Sequence, residues 1–560
     1  MNQLSIPAQT TIIVLATLIA AAAIVWAFIR RRRAYRSRIA AQFGKAPESP
    51  DTSVLQRLAD CWDVRLQQEK PTRYIDATTW NDLDMDKVFS RIDACQTSSG
   101  EEYLYALLHT PAFSEAPLTE RESLYRLLDE YPEKRLDMQV LLSRVGKSRG
   151  GSLYALGRGL SAKRLKYSFI YTVLAFLPFV LAGLFFVSWQ LGLFAVLCAF
   201  AVNIVVYSLT KLYIDKELVL LRDFSSLLWC AKKICRLGLS PEITAELSAN
   251  LRPFKRIAGK MSSLTRDKLS DADMLAEYAK VPLLLDVRNY NRAMGLIEKN
   301  AGAFLALVDQ VGALDVAAAT LSFRASLPHW TQPEFAAEGG IQAKALFHPL
   351  LTDPVCNDAD IARSSLVSGS NASGKSTFIK ALAISGILAQ TIHTCPASTF
   401  RTRFALVVSS MAVRDDITAG ESYFITEIKS LRRVLRLAQD GYCACYIDEI
   451  LKGTNTVERI AASAAVLRHI GGMDCLTVAA THDIELTRML QDNWDNFHFS
   501  EQITDEGMRF DYTIKSGPSR TRNAIALLDY MEFDERIVAE AQGLVAHFEQ
   551  TGTWDAPRKV

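Results

Sequence analysis

The stretch Gly369-Ser370-Asn371-Ala372-Ser373-Gly374-Lys375-Ser376-Thr377 constrains this chain more than any other. An apolar run, Ser365-Leu366-Val367, precedes it, and a helix-like run, Phe378 to Leu388, follows. Strand, glycine-rich loop and helix in that order is the context a phosphate-binding loop requires. The glycines let backbone N–H groups curl around an anion, and the helix start adds partial positive charge. Lys375 would then reach the β- and γ-phosphates and Ser376 would place its hydroxyl on Mg²⁺. From about Ile341 short strands alternate with helices, the pattern of an α/β domain with a largely parallel sheet.

Upstream, the chain is built differently. Hydrophobic residues make up 49% of the 560, concentrated in a few blocks. Thr11 to Ile29 carries no charge and then meets Arg30-Arg31-Arg32-Arg33. That run is long enough to span a bilayer, and the arginines place its C-terminal side in the cytoplasm. The positive charge follows the apolar run, so the pattern is an uncleaved anchor and not a cleaved signal peptide. A second block, Ser168 to Leu209, breaks near Ser188-Trp189-Gln190 and has Lys163, Arg164 and Lys166 before it and Lys211 and Lys216 after. It reads as a transmembrane hairpin with both ends cytoplasmic; the competing reading is a buried helical hairpin in a large soluble core. Asn203 is the one strongly polar amide inside a span.

The expected division is an anchor over 1–33, a linker over 34–85, helical core over 86–166, the hairpin over 167–210, more helical core over 211–335, an ATPase domain over 336–548 and a tail over 549–560. Net charge is +2, so no global basic field points to nucleic acid. One local basic run, Arg252, Lys255, Arg256, Lys260, Arg266 and Lys268, suits phosphates of nucleic acid or lipid, or a solvated helix face. The ten cysteines include no C-x-x-C pair and read as reduced, small apolar residues.

The loop has companions. Tyr442-Cys443-Ala444-Cys445-Tyr446-Ile447-Asp448-Glu449 is an apolar strand ending in two acids. Asp448 would hold Mg²⁺, through water or Ser376, and Glu449 would orient and deprotonate the attacking water. Leu476 to Ala480 is another buried strand, ended by Thr481-His482-Asp483. A histidine there faces the ligand crevice and can sense or polarise the γ-phosphate. Asp415 to Glu427 contains a second Gly/Ser-rich helix start, placed to reach a nucleotide held by a second subunit. No Asn-Lys-x-Asp motif is present, which favours ATP over GTP.

These residues resemble the ATPase domain of the MutS mismatch-repair family. The likeness is carried by Gly369 to Thr377, Asp415-Asp-Ile-Thr-Ala-Gly-Glu-Ser-Tyr-Phe424, Ile447-Asp-Glu-Ile-Leu-Lys-Gly-Thr-Asn-Thr456 and Ala480-Thr-His-Asp-Ile-Glu-Leu-Thr487. Phe347-His348-Pro349-Leu350, Thr521 to Ala526, and Phe89-Ser90-Arg91-Ile92-Asp93 through Leu108 are similar to further family segments. The resemblance implies an α/β P-loop ATPase domain of the ABC type, C-terminal to an all-helical MutS-like core, here with three predicted transmembrane helices. It implies ATP and Mg²⁺ as cofactors, composite ATP sites in a homodimer with Ser422 acting across it, and DNA as partner. Lys375, Glu449 and His482 would be catalytic, Ser376 and Asp448 the metal ligands.

The chain departs from the family pattern in places. Glu421 stands where the family has Arg, and Leu451-Lys452 where it has Gly-Arg. Anchor and linker occupy the place of a mismatch-reading domain, and the Phe533-Asp534-Glu535 triplet lies near the C-terminus. The expectation is a membrane-anchored ATPase of the inner (plasma) membrane, multi-pass, contacting lipid, with a cytoplasmic ATPase domain coupled to DNA. A transporter-like or membrane-remodelling ATPase without DNA binding is the alternative.

Overall fold

The computed structural model describes residues 6–148, 151–160, 164–255, 281, 283–370, 373–411, 423–452, 454–504, 507–519 and 524–554. They form two compact units. One comprises Met1–Lys70, Ile92–Ala106 and Arg121–Ser326; the other comprises Pro71–Arg91, Leu107–Glu120 and Leu327–Val560.

The first unit is helical throughout its described residues. The sequence runs through α1 (Ile6–Gln42), α2 (Thr52–Glu69), α3 (Ala77–Asp82), α4 (Met85–Ile92), α5 (Ser98–His109), α6 (Glu115–Glu130), α7 (Pro132–Val145) and α8 (Leu153–Gly157), with α3, nearly all of α4, the end of α5 and the start of α6 in the second unit. Then come α9 (Ser168–Leu181), α10 (Trp189–Ile234), α11 (Pro241–Leu251), α12 (Leu285–Lys299) and α13 (Ala301–Ser326). The core gathers Tyr125, Met138 and Leu142 with Phe224, Leu227 and Ile234 of α10 and Phe304, Leu307 and Val311 of α13. Phe224 meets Phe254 edge-on at 5.2 Å and Phe304 at 4.3 Å. Inside it Arg324 donates to both carboxylate oxygens of Glu122, at 3.0 and 2.7 Å. Asp315 accepts from the Thr97 amide at 2.8 Å and hydroxyl at 2.7 Å, fixing the start of α5.

The expected anchor lies in α1, which continues through the arginines to Gln42 and leaves Leu18, Val25 and Phe28 exposed. The expected hairpin is α9, a short 3-10 turn (Ala182–Phe186) and α10, interrupted before Trp189 as its sequence indicates. Ser168–Phe186 and Trp189–Asp215 are long and apolar enough to cross a membrane, and so is α13. Burial separates them: α13 is packed inside the unit, whereas Phe176, Phe179, Val180, Phe194 and Leu197 of the hairpin are exposed. Pro178 has no N–H to give the Leu174 carbonyl four residues back. Asn203 Nδ2 supplies that bond across the hairpin, at 2.9 Å. Asn203 thus repairs the proline's gap.

Two expected divisions are crossed or filled by helices. The division at 210/211 between hairpin and helical core is not a break, because α10 is a single 46-residue helix. It is about 70 Å long, apolar and exposed at one end and buried in the core at the other. Nothing between Lys211 and Lys216 is a glycine, a proline or a cap, so the charges change the surroundings of the helix and not its path. The expected linker over 34–85 is largely helical too. It holds the end of α1, all of α2 with Leu58 and Trp62 buried, and α3.

The second unit is α/β. A six-stranded sheet has the order β12-β9-β4-β8-β7-β6, formed by Lys515–Ser516, Asp495–His498, Ser365–Ser368, Cys475–Thr481, Cys443–Asp448 and Leu406–Ser410. All neighbouring pairs are parallel except β12 with β9. Every residue of β4, β6 and β7 is buried, as strands covered on both faces require. A four-stranded sheet, order β1-β5-β2-β3, is made of Glu334–Ala336, Thr399–Arg403, Ile341–Leu346 and Asn357–Ile361. A small antiparallel pair, β10 (Glu501–Thr504) and β11 (Gly507–Phe510), completes the strands. The helices are α14 (Lys375–Thr391), α15 (Tyr423–Gln439), α16 (Thr456–Gly471), α17 (Ile484–Met489), α18 (Ala524–Tyr530) and α19 (Glu535–Thr551).

Residues 71–91 also pack onto this sheet, which their sequence does not announce. Asp76 caps α3 through the Thr79 amide and pairs with Arg433 of α15. Asp82 accepts from the Ser409 hydroxyl at 2.7 Å and the Met411 amide at 3.1 Å, at the end of β6. Asp84 pairs with Lys380 of α14 at 2.6 Å. Trp80 stacks on His109 at 3.8 Å.

Candidate active site at the ends of the parallel strands

Register brings the candidate residues together. Ser368, the last residue of β4, pairs with Thr481, the last of β8, and Asp448 at the end of β7 pairs with Ala480. The loop after β4, the acids ending β7 and His482 after β8 therefore emerge side by side at the C-terminal edge, where such sheets bind ligands.

The loop's glycines are there for backbone reasons. Gly369 has φ 143° and Gly374 φ 106°, both left-handed. A side chain on Gly369 would also stand 2.7 Å from the Phe499 carbonyl. Ser373 Oγ donates to the Ser370 carbonyl at 2.9 Å and tightens the turn. Lys375, the first residue of α14, is buried, and its ammonium donates to the carbonyls of Gly369 and Ser370 at 2.7 and 2.6 Å. The side chain lies over the loop it belongs to. Ser376 and Thr377 are exposed on the first turn of α14.

Asp448 accepts a hydrogen bond from the Ser376 hydroxyl, and burial raises its carboxyl above the usual range. Its Oδ1 is buried and has no hydrogen-bond partner among the described residues. A hydroxyl and a half-satisfied buried carboxylate side by side fit a hard divalent cation that takes its remaining ligands from water and phosphate. No cluster of three or more His, Cys, Asp or Glu side chains suited to a metal exists among the described residues, so a cation here depends on those outside ligands.

Glu449 is the most constrained residue of the site. Its φ is 55°, in the left-handed region that non-glycine residues seldom occupy. Its amide donates to the Ala480 carbonyl at 3.2 Å. One carboxylate oxygen pairs with His482 Nε2 and the other with Lys452 Nζ at 2.5 Å. The His482 hydrogen bond, with Lys452 beside it, holds the Glu449 carboxyl down at about 2. His482 is itself positioned, since Arg459 of α16 grips the next residue, Asp483, through two hydrogen bonds of 3.1 and 2.6 Å.

Beside the loop is a cavity of about 440 Å³ lined by Phe347, His348, Val355, Asn357, Lys375 and Tyr512, among others. The Tyr512 ring lies against Gly374, 3.3 Å from where a Cβ would be. Asn357 fixes that segment: its Nδ2 donates to the Tyr512 carbonyl at 3.0 Å and its Oδ1 accepts from the Ile514 amide at 2.7 Å. Burial pushes His348 down to about 4, so the ring is neutral at pH 7.

Of the residues singled out from sequence, Gly369, Ser370, Ser373, Gly374, Lys375, Ser376, Thr377, Asp448, Glu449 and His482 gather at this edge. Asn371, Ala372 and Ser422 lie outside the described residues, as do Glu421 and Thr521 to Asn523. The pairing of His482 and Lys452 with Glu449 was not anticipated. For Lys452 a signal existed, since it stands three residues after Glu449. For Tyr512 and Asn357 there was none: they are 155 residues apart and meet only through the fold.

Residues 365–549 match the family model described as MutS domain V. The chain is 32% identical over 236 residues to "MutS protein homolog 4" of Mus musculus, covering 39% of this chain and 24% of that protein. It is 29% identical over 269 residues to "DNA mismatch repair protein MutS 2" of Halobacterium salinarum, covering 46% and 31%. It is 27% identical over 274 residues to "DNA mismatch repair protein MutS" of Streptococcus sanguinis, covering 46% and 32%. The chain thus spans about a quarter to a third of the length of these curated relatives.

Proposed function

This chain belongs to the MutS family through its residues 365–549, and on that premise we propose that it is a membrane-anchored ATPase working as a homodimer, with DNA as the polymer it acts on. The observation that carries the reading is the strand register. It sets the glycine-rich loop, the Asp448-Glu449 pair and His482 at one edge of the sheet, beside a cavity roofed by Tyr512. In this reading the amides of the Gly369–Gly374 loop and the start of α14 take the phosphates of ATP. Lys375 exchanges its bonds to the Gly369 and Ser370 carbonyls for phosphate oxygens. Ser376 and Asp448 hold Mg²⁺, which when bound neutralises charge on the phosphates. Glu449, kept ionised by His482 and Lys452, accepts a hydrogen bond from the attacking water and orients it. The neutral His348 and the Tyr512 ring line the space beside the loop for the nucleoside. Ser422 serves the site of the partner subunit.

The anchor part rests on α1, which exposes Leu15, Leu18, Val25 and Phe28, and on the α9–α10 hairpin, whose exposed side chains are apolar along membrane-length runs. Because α10 runs unbroken from the hairpin into the helical core, a movement of that core is transmitted rigidly to the hairpin. The same continuity favours a second reading, in which ATP drives a change in the membrane without DNA.

The test is ATP turnover by the full chain in nanodiscs, with and without duplex, branched and single-stranded DNA, at several salt concentrations. Turnover that is lost in Lys375→Ala and stimulated by DNA at low salt is expected. Turnover indifferent to every DNA removes the DNA part and leaves the second reading. No turnover and no ATP binding by the wild type removes both.

A further inference from the structure

A second cavity, of about 690 Å³, lies in the helical unit, remote in sequence from every residue of the candidate active site. Four cations line it: Arg164, Arg252, Lys255 and Arg292. No acidic side chain does, and none of the four forms an ion pair among the described residues. Like charges are not gathered into a concavity without cost, so the grouping is an electrostatic trap for an anion. Arg288, one turn before Arg292 and outside the lining, is pushed below its ordinary range by burial first and by Arg292 second.

Its position names the kind of anion. Arg164 is four residues before the apolar hairpin begins at Ser168. Asn291 accepts a hydrogen bond from the Leu165 amide at 3.0 Å and so holds that approach segment against α12. The Arg164 guanidinium lies across Gly295, 3.4 Å from where a Cβ would stand, so the missing side chain leaves it room against the helix. The same helix is tied to the hairpin itself: Tyr207 donates to Asp286 at 2.9 Å, and Arg288 sits over the Phe176 ring. The cationic cavity is therefore at the foot of the hairpin. Among the described residues no aromatic ring lines it, whereas single-stranded nucleic acid is gripped by stacking as well as charge. Basic pockets beside spanning helices on the cytoplasmic side suit phospholipid head groups.

We infer that Arg164, Arg252, Lys255 and Arg292 form a binding site for the phosphate of an anionic phospholipid at the cytoplasmic foot of the α9–α10 hairpin. The inference rests on the membrane part of the proposed function. The site would let lipid composition clamp α11, α12 and the hairpin as one block.

The experiment uses the full chain and vesicles of phosphatidylcholine with a minor fraction of phosphatidylglycerol. The chain is released into mild detergent and its retained lipids are counted by native mass spectrometry. The wild type is expected to retain phosphatidylglycerol in preference to phosphatidylcholine. The triple variant Arg164→Gln, Arg252→Gln, Arg292→Gln is expected to lose that preference by about fivefold for each cation removed. The lysine set, R164K with R252K and R292K, keeps charge and keeps most of the retention, which guards against a variant that merely misfolds. Competition separates the sources of phosphate: glycerol phosphate or inorganic phosphate that strips the lipid at low concentration marks a free-phosphate site and overturns the lipid assignment. A short duplex that binds the wild type but not the triple variant, and displaces the lipid, overturns it in favour of nucleic acid. Equal retention by wild type and variant, in a chain that resists alkaline carbonate extraction, overturns the inference alone. A chain released by carbonate overturns the membrane reading and the inference with it.

Discussion

Replacing Glu449 by Gln tests the chemistry at its centre. The substitution keeps the shape and removes the charge that His482 and Lys452 hold. Bringing the carboxyl from its ordinary 4.5 to about 2 corresponds to roughly 3 kcal/mol of preference for the ionised form. The Lys452 share of that is the smaller, because its ammonium is half exposed and screened. The carboxyl is depressed in the folded state, so this stabilisation is complete above pH 4.5 and is lost as pH falls towards 2. At pH 7 the variant forfeits at most that ~3 kcal/mol locally, and the backbone at φ 55° stays as costly as before. On the proposed reading, loss of the carboxylate should remove general-base assistance and lower turnover by about a hundred- to ten-thousandfold. Binding of ATP, on the same reading, should be retained, since one negative charge fewer faces the phosphates. The assay is steady-state ATP turnover paired with equilibrium binding of a fluorescent ATP analogue, with the dimer fraction measured at saturating ATP. Accumulation of an ATP-bound dimer with little turnover is expected. A companion variant, His482→Ala, should shift the acid limb of the turnover–pH profile upward, towards 4.5. Unchanged turnover in Glu449→Gln would refute the assignment of the base, whatever the binding data show.

Three further outcomes follow from packing. Arg324→Met strands the buried Glu122 carboxylate and should cost about 3–5 kcal/mol in urea unfolding, most of it recovered by adding Glu122→Leu. Asn203→Leu withdraws the donor that serves the Leu174 carbonyl, at a cost of about 0.6 and no more than about 1.7 kcal/mol in detergent unfolding; in a Pro178→Ala background, where the helix supplies its own N–H, the cost should vanish. Gly374→Ala forces a side chain to φ 106° against Tyr512, so ATP binding should weaken by about tenfold with little loss of overall stability, whereas Gly543→Ala, in open space on α19, should leave binding unchanged.

Local rules made a good part of this protein legible from its sequence. Gly369 and Gly374 are required by backbone angles that few other residues adopt, and Ser365 to Thr377 reads as strand, loop and helix because each step has its own chemical mark. The buried runs ending at Asp448 and Thr481 read as strands for the same reason, and the hairpin break at Ser188 is visible as an interruption in an apolar run. The tertiary structure decided what depends on distance in space. Periodicity cannot say whether an apolar helix is wrapped by protein or left bare, so α13 and the hairpin look alike until burial separates them. It cannot bring residues 76–84 to the sheet more than 300 positions later, nor set Arg164 beside Arg252 and Arg292, because those meetings come from packing between helices and not from spacing along one. It named Glu449 and His482 separately, and only the pairing of β7 with β8 put one against the other.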